Sequence, residues 1–281
     1  MNNGRNQNGV VLISVLWVIA GLSIIVASNL TAVRTDIQLT QTHLRLAQAR
    51  AISEAGIYWA IHSLLRPRET ARPGLPEDRV TLDWGNALVS LSIENDAGRI
   101  DINTADPRLI ESALVHAGVD ASTARNIVAG LERLRAALEA SEVADETETR
   151  IFQSVEDFAA GLDVPLHIKQ RLVSWFTVYN GREGINPLAA GRAVLLAVPG
   201  MSEGRVESYL TQRENHPFRT PDPGFDQAYF TDRLSAVYTI TASTRIDGAT
   251  ATVGTRVRLS SLRDTPFDIL AWRSSVDFNQ G

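Results

Sequence analysis

Apolar and polar positions along the first quarter of the chain follow a helical pattern. Residues 9–30 contain no charged side chain and are long enough to span a bilayer core of roughly 30 Å as a helix. Beyond them, apolar residues recur at intervals of three, four or seven positions up to Leu65, which is the pattern of one face of a continuing helix. The pattern predicts a single helix over residues 10–65, with a membrane-spanning first half and an amphipathic second half.

The pattern changes to strand alternation after a linker. Residues 66–79 contain three prolines and a glycine among many charges, which predicts the end of the helix. Residues 88–93 then alternate apolar and polar side chains, and Ile100 and Ile102 resume the alternation after a turn that contains Gly98. We therefore expect two short antiparallel strands in this region.

A second group of strands is predicted near the C-terminus. Residues 237–246 and 249–259 flank Asp247-Gly248, a two-residue sequence that strongly indicates a β-hairpin. Residues 267–272 are a candidate for a last strand. Because two short strands are not stable alone, we expect the late strands to complete the early ones in one antiparallel sheet.

The pattern between the two groups of strands predicts helices and contains a degenerate internal repeat. One copy leads from Asn103 to Gly118 and the other from Asn186 to Gly200, and each places a glycine turn between two helical segments. This order resembles a helix-hairpin-helix unit. The predicted fold class is α+β, in which a large all-helical insertion interrupts the antiparallel sheet.

Composition and charge narrow the classes of function. The net charge of −5 and the sequence pI near 5.6 provide no overall attraction for nucleic acid or anionic lipid. The chain contains no cysteine, which excludes disulfides, thiolate metal sites and a cysteine nucleophile. Its five histidines lack the spacing of a metal site. The sequence therefore requires no cofactor.

The leader before the apolar segment has three interpretations. Residues 1–9 are polar with Arg5 as the only charged side chain, and Gly9 stands at the junction with the apolar residues. A secretory signal peptide would be cleaved near residues 26–28, and an uncleaved anchor would be oriented by Arg5 and Arg34. The continuing helix favours a third interpretation. A glycine-terminated polar leader, an apolar helix and an amphipathic continuation resemble the class III signal of type IV pilins and type II secretion pseudopilins.

The resemblance implies how the chain is processed and where it lies. In that family a prepilin peptidase cuts after the glycine and methylates the new amino terminus. The cut here would follow Gly9 and leave Val10 first, where the family usually has phenylalanine or methionine. The mature chain would cross the bacterial inner membrane once, with its C-terminal domain in the periplasm. Aliphatic side chains suit close helix packing in lipid, and the candidate contacts with other subunits are Leu12, Leu16, Ile19 and Ile24.

The fifth mature position narrows the resemblance. Family members usually carry a glutamate there, whose carboxylate is thought to pair with the terminal amine of a neighbouring subunit, whereas this sequence has Ser14. A carboxylate in the bilayer is tolerable only when it is paired, so a subunit without one cannot dock through that pair. The K-type minor pseudopilin, general secretion pathway protein K, also lacks this glutamate, is similar in having a helical insertion, and is placed at the filament tip.

A K-type resemblance implies a function, a layout and a set of partners. The subunit would initiate and cap the periplasmic pseudopilus of a type II secretion system and support the export of folded proteins. Its pilin-like fold would comprise a leader (1–9), an N-terminal transmembrane helix packed on the sheet (10–65), a linker and first strands (66–102), the helical insertion (103–232) and the last strands (233–281). The expected partners are the I- and J-type minor pseudopilins, then the H-type, the major pseudopilin and the prepilin peptidase, with secreted proteins as further candidates.

Calcium is a candidate ligand, since it is known in pseudopilins. Asp222, Asp226 and Asp232 lie in or beside a proline-rich loop and could supply oxygen ligands. Their spacing matches no EF-hand, so a solvated acidic loop is the preferred interpretation.

The glycine turns support an alternative function, that of a DNA-binding or competence-type pilin. Helix-hairpin-helix units bind the DNA backbone through amides near a helix N-terminus. A phosphate-binding surface should carry a basic surplus. At the second turn Arg205 is offset by Glu203 and Glu207, and at the first Asp120 faces Arg125. We therefore expect no nucleic-acid partner.

One motif favours an enzyme. Residues 200–204 match the G-x-S-x-G pattern of a nucleophile elbow around Ser202, and residues 194–198 could form the strand before it. Pro199 interrupts that approach, and His216, the only downstream histidine, follows too closely for the usual order of serine, acid and histidine. A membrane-anchored serine hydrolase is thus disfavoured, Ser202 is interpreted as a helix N-cap, and we predict a non-enzymatic protein.

Overall fold

The computed structural model describes residues 7–66, 79–85, 87–140, 150–215, 227–260 and 265–278. Helix α1 (Gln7–Leu65) is one continuous helix of 59 residues, as the apolar pattern predicted, and it begins three residues before Val10. The strands are β1 (Arg79–Asp83), β2 (Leu88–Asn95), β3 (Ile100–Asp101), β4 (Phe176–Thr177), β5 (Val237–Ile246), β6 (Ala249–Leu259) and β7 (Phe267–Phe278). The further helices are α2 (Pro107–Ala117), α3 (Ala121–Glu139), α4 (Val155–Gly161), α5 (Lys169–Trp175), α6 (Arg192–Ala197) and α7 (Glu203–Asn215).

A five-stranded sheet in the order β1-β2-β5-β6-β7 is antiparallel throughout. The early and late strands meet where β2 pairs with β5, from Leu88 opposite Arg245 to Asn95 opposite Tyr238. The predicted completion of the early strands by the late ones is therefore confirmed. We call α1 together with these five strands the sheet unit.

The predicted hairpin at Asp247-Gly248 is also confirmed. The φ angles of the two residues are 44° and 82°, so both lie in the left-handed region that a type I′ turn requires. The turn brings Ile246 opposite Ala249 and sets the pairing of β5 with β6. Strand β7 pairs with β6 and extends six residues beyond the predicted 267–272, to Phe278.

The predicted antiparallel pairing of residues 100–102 with the strand before them is wrong. Asn95 caps a 3₁₀ turn over Asp96–Gly98 by accepting a hydrogen bond from the Ala97 backbone N–H at 3.0 Å. A Cβ on Gly98 would lie 2.0 Å from the carbonyl oxygen of Ala189, so this turn is held directly against the helical part of the chain. The chain therefore leaves the sheet here, and β3 pairs in parallel with β4.

The chain between β2 and β5 builds a second core, which we call the helical unit. Its fully buried side chains come from several helices and from both short strands, and they include Ile100, Leu114, Leu131, Phe158 and Phe176. Each such side chain contributes roughly 1.5–3 kcal/mol relative to exposure. The core of the sheet unit is a separate cluster around Ile57, Ile61, Leu91, Ile240 and Val253.

Small side chains let the C-terminal half of α1 lie close to the sheet. Ala49, Ser53, Gly56 and Ala60 are all buried. A Cβ on Gly56 would lie 3.1 Å from Val89 Cγ1, so the strand occupies the space above this glycine. The Ser53 hydroxyl donates a hydrogen bond of 2.8 Å to Thr244 Oγ1, which satisfies polar groups inside the interface.

Candidate functional site: exposed α1 and the junction of the two units

Residues 12–24 of α1 expose their apolar side chains on every side of the helix. Trp17 is 74% exposed, and the four predicted packing residues are similarly uncovered: Leu12 (70%), Leu16 (67%), Ile19 (59%) and Ile24 (70%). A helix that is apolar all round is normally covered by lipid or by other protein. This segment is therefore the part of the described chain that most clearly requires an external partner.

The residues of the predicted processing site lie at the start of the same helix. Gly9 and Val10 are within the first turn of α1, and the surroundings of their side chains lie outside the described residues. Ser14 lies about one turn further on and is exposed. Among the described residues, no helix has the length and apolar character needed to cross a membrane. The predicted membrane-spanning helix over residues 9–30 is thus not found there.

A buried polar network joins the two units. Asp96 is fully buried, and its two carboxylate oxygens accept hydrogen bonds from Thr177 Oγ1 in β4 and Thr239 Oγ1 in β5, each at 2.7 Å. Arg256 Nε in β6 lies 3.7 Å from Oδ2, and a terminal nitrogen of Arg99 lies 3.8 Å from Oδ1. The two threonines are 81 and 143 positions away in sequence, so no local pattern could have predicted this site.

Further contacts extend the junction around Arg256. The ring of Tyr179 contacts two guanidinium groups, with centroid distances of 5.1 Å to Arg150 Cζ and 5.6 Å to Arg256 Cζ. Burial lowers the pKa of Arg256, and the nearby Asp96 carboxylate opposes that shift. Arg273 in β7 forms an ion pair with Glu156 in α4. The helical unit is thereby attached to three neighbouring strands, β5, β6 and β7.

Two clefts open beside the junction. Their volumes are about 320 and 260 Å³, and Arg99 and Ser174 line both. Four of the lining arginines already form ion pairs with acids of this chain: Arg99 with Glu94, Arg192 with Glu203 and Glu207, Arg256 with Asp96, and Arg273 with Glu156. The clefts therefore have little uncompensated positive charge for an anionic ligand.

The first predicted glycine turn is present, and its helix N-terminus is already occupied. Gly118, with φ 105°, separates α2 from α3. Asp120 caps α3 by accepting hydrogen bonds from the backbone N–H groups of Ser122 and Thr123 at 3.1 and 2.9 Å. The Ser122 hydroxyl and these further donors hold the pKa of Asp120 well below its ordinary value. The amides that a DNA phosphate would use bind the chain's own carboxylate, which disfavours DNA binding here.

Two carboxylates of α7, those of Glu203 and Glu207, lie beside the second glycine turn. Gly200, with φ 80°, separates α6 from α7. Arg192 donates hydrogen bonds to Glu207 Oε1 at 2.5 Å and to Glu203 Oε1 at 2.8 Å, and these bonds raise the pKa of Arg192. The pairs hold α6 against α7 and disfavour a phosphate at this turn. Whether either helix pair acts as a helix-hairpin-helix unit stays a prediction.

The strand considered for residues 194–198 is wrong. Residues 192–197 form α6, whose first turn is closed by a hydrogen bond of 3.0 Å from the Leu195 N–H to the Gly191 carbonyl. Helix α7 begins directly after Ser202, and the Val206 N–H donates to the Ser202 carbonyl. A nucleophile elbow requires a turn from strand to helix, and Ser202 instead follows a turn between two helices. His216 lies outside the described residues.

Of the three candidate calcium ligands, the structure describes only Asp232. Asp232 is exposed, and Asp222 and Asp226 lie outside the described residues. Within the described ranges, no group of three or more His, Asp or Glu side chains could hold a metal ion.

Burial raises the pKa of Asp101, whose carboxylate accepts hydrogen bonds from the backbone of Gly181 at 2.7 Å and Asn103 at 2.8 Å. This carboxylate fixes the loop that follows β4.

Comparison with known proteins gives a similarity to solved structures. No family model matches the chain, and no curated protein sequence matches it. The structure is similar to a chain in the crystal structure of the GspK–GspI–GspJ complex from the type 2 secretion system of enterotoxigenic Escherichia coli. The TM-score is 0.48 and the sequence identity 11%, over 86% of this chain and 98% of that chain.

Proposed function

We propose that this chain is a non-enzymatic assembly subunit of a pilin-like filament, namely a K-type minor pseudopilin of a type II secretion system. One observation carries the proposal: α1 is packed on the sheet from Ala49 to Leu64 and exposes apolar side chains over residues 12–24, including Leu12, Leu16 and Ile24. An anchored helix with an uncovered apolar end is suited to insertion among lipids and among other helices.

Two features support a position at the filament tip. Ser14 provides no carboxylate for pairing with a neighbouring amino terminus. The helical unit is a bulky second body, and the buried Asp96 network attaches it firmly to the sheet. A subunit with this added body is easier to accommodate at an end of a filament than at repeated positions along it.

The proposed sequence of events begins at the inner membrane. The apolar helix inserts, the prepilin peptidase cuts after Gly9, and the helix packs with those of the I- and J-type subunits before the H-type and the major pseudopilin join. The C-terminal domain then lies in the periplasm, where the filament supports export of folded proteins. Calcium binding by Asp222, Asp226 and Asp232 stays a prediction.

Amino-terminal sequencing and intact mass of the membrane-derived protein test the proposal. We expect a mature chain that begins at an N-methylated Val10. Substitution of Gly9→Leu should leave the leader attached, whereas the matched variant Gly4→Leu, inside the leader, should be cut normally. A wild-type chain that retains Met1, or that begins near Asn29, would show that the processing reaction and the pseudopilin assignment are wrong.

A further inference from the structure

The face of the sheet that points away from α1 carries two rows of side chains that cross all five strands. Leu91, Ile240 and Val253 pack towards α1, and Val80 and Trp272 pack against the same cluster. Because side chains alternate between the two faces of a strand, the residues next to these five point away from α1. The strand register places them side by side. The first row is Arg79, Ser92, Thr241, Gly254 and Arg273, and the second is Thr81, Ser90, Ser243, Thr252 and Ser275.

The two rows have nearly uniform chemistry, and we call them together the hydroxyl surface. Apart from Arg79, Gly254 and Arg273, every position is a serine or a threonine. The Thr252 hydroxyl donates a hydrogen bond of 3.2 Å to Ser243 Oγ, so hydroxyl groups of neighbouring strands lie side by side. The residues of both rows are exposed or half-buried, which leaves the hydroxyl surface open to a ligand.

The first row is the floor of a groove. Each of its residues lines one of the two clefts beside the junction, and Arg99 and Ser174 of the helical unit line both clefts. Ser92 in one cleft lies directly opposite Thr241 in the other, so the clefts are parts of one groove between the helical unit and the sheet. Five strands about 4.8 Å apart give the groove a length of roughly 19 Å. This shape is suited to a linear ligand that crosses the strands.

The chemistry of the hydroxyl surface distinguishes between classes of ligand. Serine is depleted at protein–protein interfaces, and serine and threonine rarely dominate their binding energy, which disfavours a protein partner. Nucleic acid requires surplus positive charge, whereas Arg99, Arg256 and Arg273 are paired with acids of this chain. A hydroxyl group both donates and accepts hydrogen bonds. Rows of hydroxyl groups therefore complement an uncharged chain that itself presents donors and acceptors along its length, as linked sugars do.

Two further residues suit the rings of a sugar chain. Trp175 is half-buried and lines the same cleft as Ser92, where its indole provides apolar surface for the C–H face of a ring. Gly254 keeps the groove open where it crosses β6, because an added Cβ would meet its nearest atom, Thr241 Oγ1, at 3.9 Å. The groove thus combines polar rows, an indole in its lining and free space above the floor.

We propose that the groove and the hydroxyl surface bind a linear chain of N-acetylated sugars, namely the glycan strand of the bacterial cell wall. The hydroxyl and acetamido groups of the sugars exchange hydrogen bonds with the serines and threonines of both rows. The choice of the cell wall rests on the proposed function, because that function places this domain in the periplasm, where the glycan lies. Binding would hold the tip subunit against the cell wall as the filament grows.

A linear hexamer of β-1,4-linked N-acetylglucosamine is the first probe, titrated into the full chain in detergent with calorimetric detection. We expect saturable binding with a Kd below about 1 mM. Gly254→Leu fills the groove above β6 and should weaken binding by about tenfold or more. Gly204→Leu is the matched control, because Gly204 lies in α7, does not line the groove, and has nothing within 4 Å of an added Cβ. Its affinity should equal that of wild type.

Purified cell-wall sacculi are the second probe. The full chain should sediment with them, and the hexamer should release it. The inference is overturned by a chain that shows no saturable binding of the hexamer, by equal affinities of Gly254→Leu and wild type, by equal affinity for an extended polar peptide, or by binding of the hexamer without binding of sacculi.

The amino terminus of the same protein separates this inference from the proposed function. Binding of either probe does not require cleavage after Gly9. A cleaved chain that binds neither probe refutes this inference alone. An uncleaved chain that binds both probes refutes the proposed function and retains the groove as a glycan site.

Discussion

The sheet unit and the helical unit differ in how many of their apolar side chains are exposed. In the described part of the helical unit, only three large apolar side chains are exposed: Val115, Leu134 and Leu234. The sheet unit buries one face of α1 but leaves the apolar side chains of residues 12–24 uncovered. A region that buries its apolar side chains in its own core presents little apolar surface to a partner. A region with continuous apolar exposure presents a surface that lipid or another protein can cover. The difference favours α1, and not the helical unit, as the surface for the proposed assembly.

The largest expected effect comes from separating the two units at Asp96. Substitution of Asp96→Ala leaves Arg256 and Arg99 without their buried carboxylate, and we expect a loss of about 3–5 kcal/mol in the free energy of unfolding. Urea denaturation followed by tryptophan fluorescence measures it. Glu94→Ala is the control, because Glu94 also pairs with Arg99 but its side chain is 44% exposed, so the loss should stay below about 1 kcal/mol. Equal losses in the two variants would contradict a central role for Asp96.

A smaller effect distinguishes the two halves of α1. In Gly56→Leu the new side chain would press on Val89 and Leu91, whose nearest atoms lie 3.1 and 3.2 Å from an added Cβ, and we expect a loss of about 1–3 kcal/mol. An added Cβ on Gly21 meets nothing within 4 Å, so Gly21→Leu should not lower the stability of the isolated chain in detergent. Denaturation of both variants measures their free energies of unfolding. A stable Gly56→Leu variant would show that α1 does not lie this close to the sheet.

The smallest expected effect concerns the Asp120 cap and its dependence on pH. The pKa of Asp120 is lowered in the folded chain, so its ionised carboxylate contributes stability above the ordinary value of 3.8 and that contribution is lost as pH falls through the folded pKa. Asp120→Ala should therefore lower Tm at neutral pH, and the difference from wild type should shrink in strong acid. The Tm of Asp120→Asn, which retains a capping oxygen, should lie between the Tm of wild type and that of Asp120→Ala. A difference in Tm that does not change with pH would show that the charge of Asp120 contributes nothing.

Sequence reasoning succeeded where the signal was local and failed where the partner was distant. The hairpin at Asp247-Gly248 and the continuous α1 follow from turn chemistry and periodicity within a few residues. The pairing of Ile100 was missed because apolar alternation does not identify the neighbouring strand, and the parallel partner, Phe176, lies in a segment dominated by helical signals. The Asp96 network could not be predicted, because its ligands Thr177 and Thr239 come from distant elements that meet only in the fold.

The place of the helical unit between two neighbouring strands has a consequence for the rate of folding. Asn95 at the end of β2 and Ser235 just before β5 are 140 positions apart, yet the Asn95 side chain donates a hydrogen bond of 2.8 Å to the Ser235 carbonyl. Closing so long a loop in an unfolded chain is entropically costly and slow. Once the helical unit has folded, its two ends already lie side by side and β2 can pair with β5 as though a short turn joined them. We therefore expect the helical unit to fold first and to set the time at which the sheet closes.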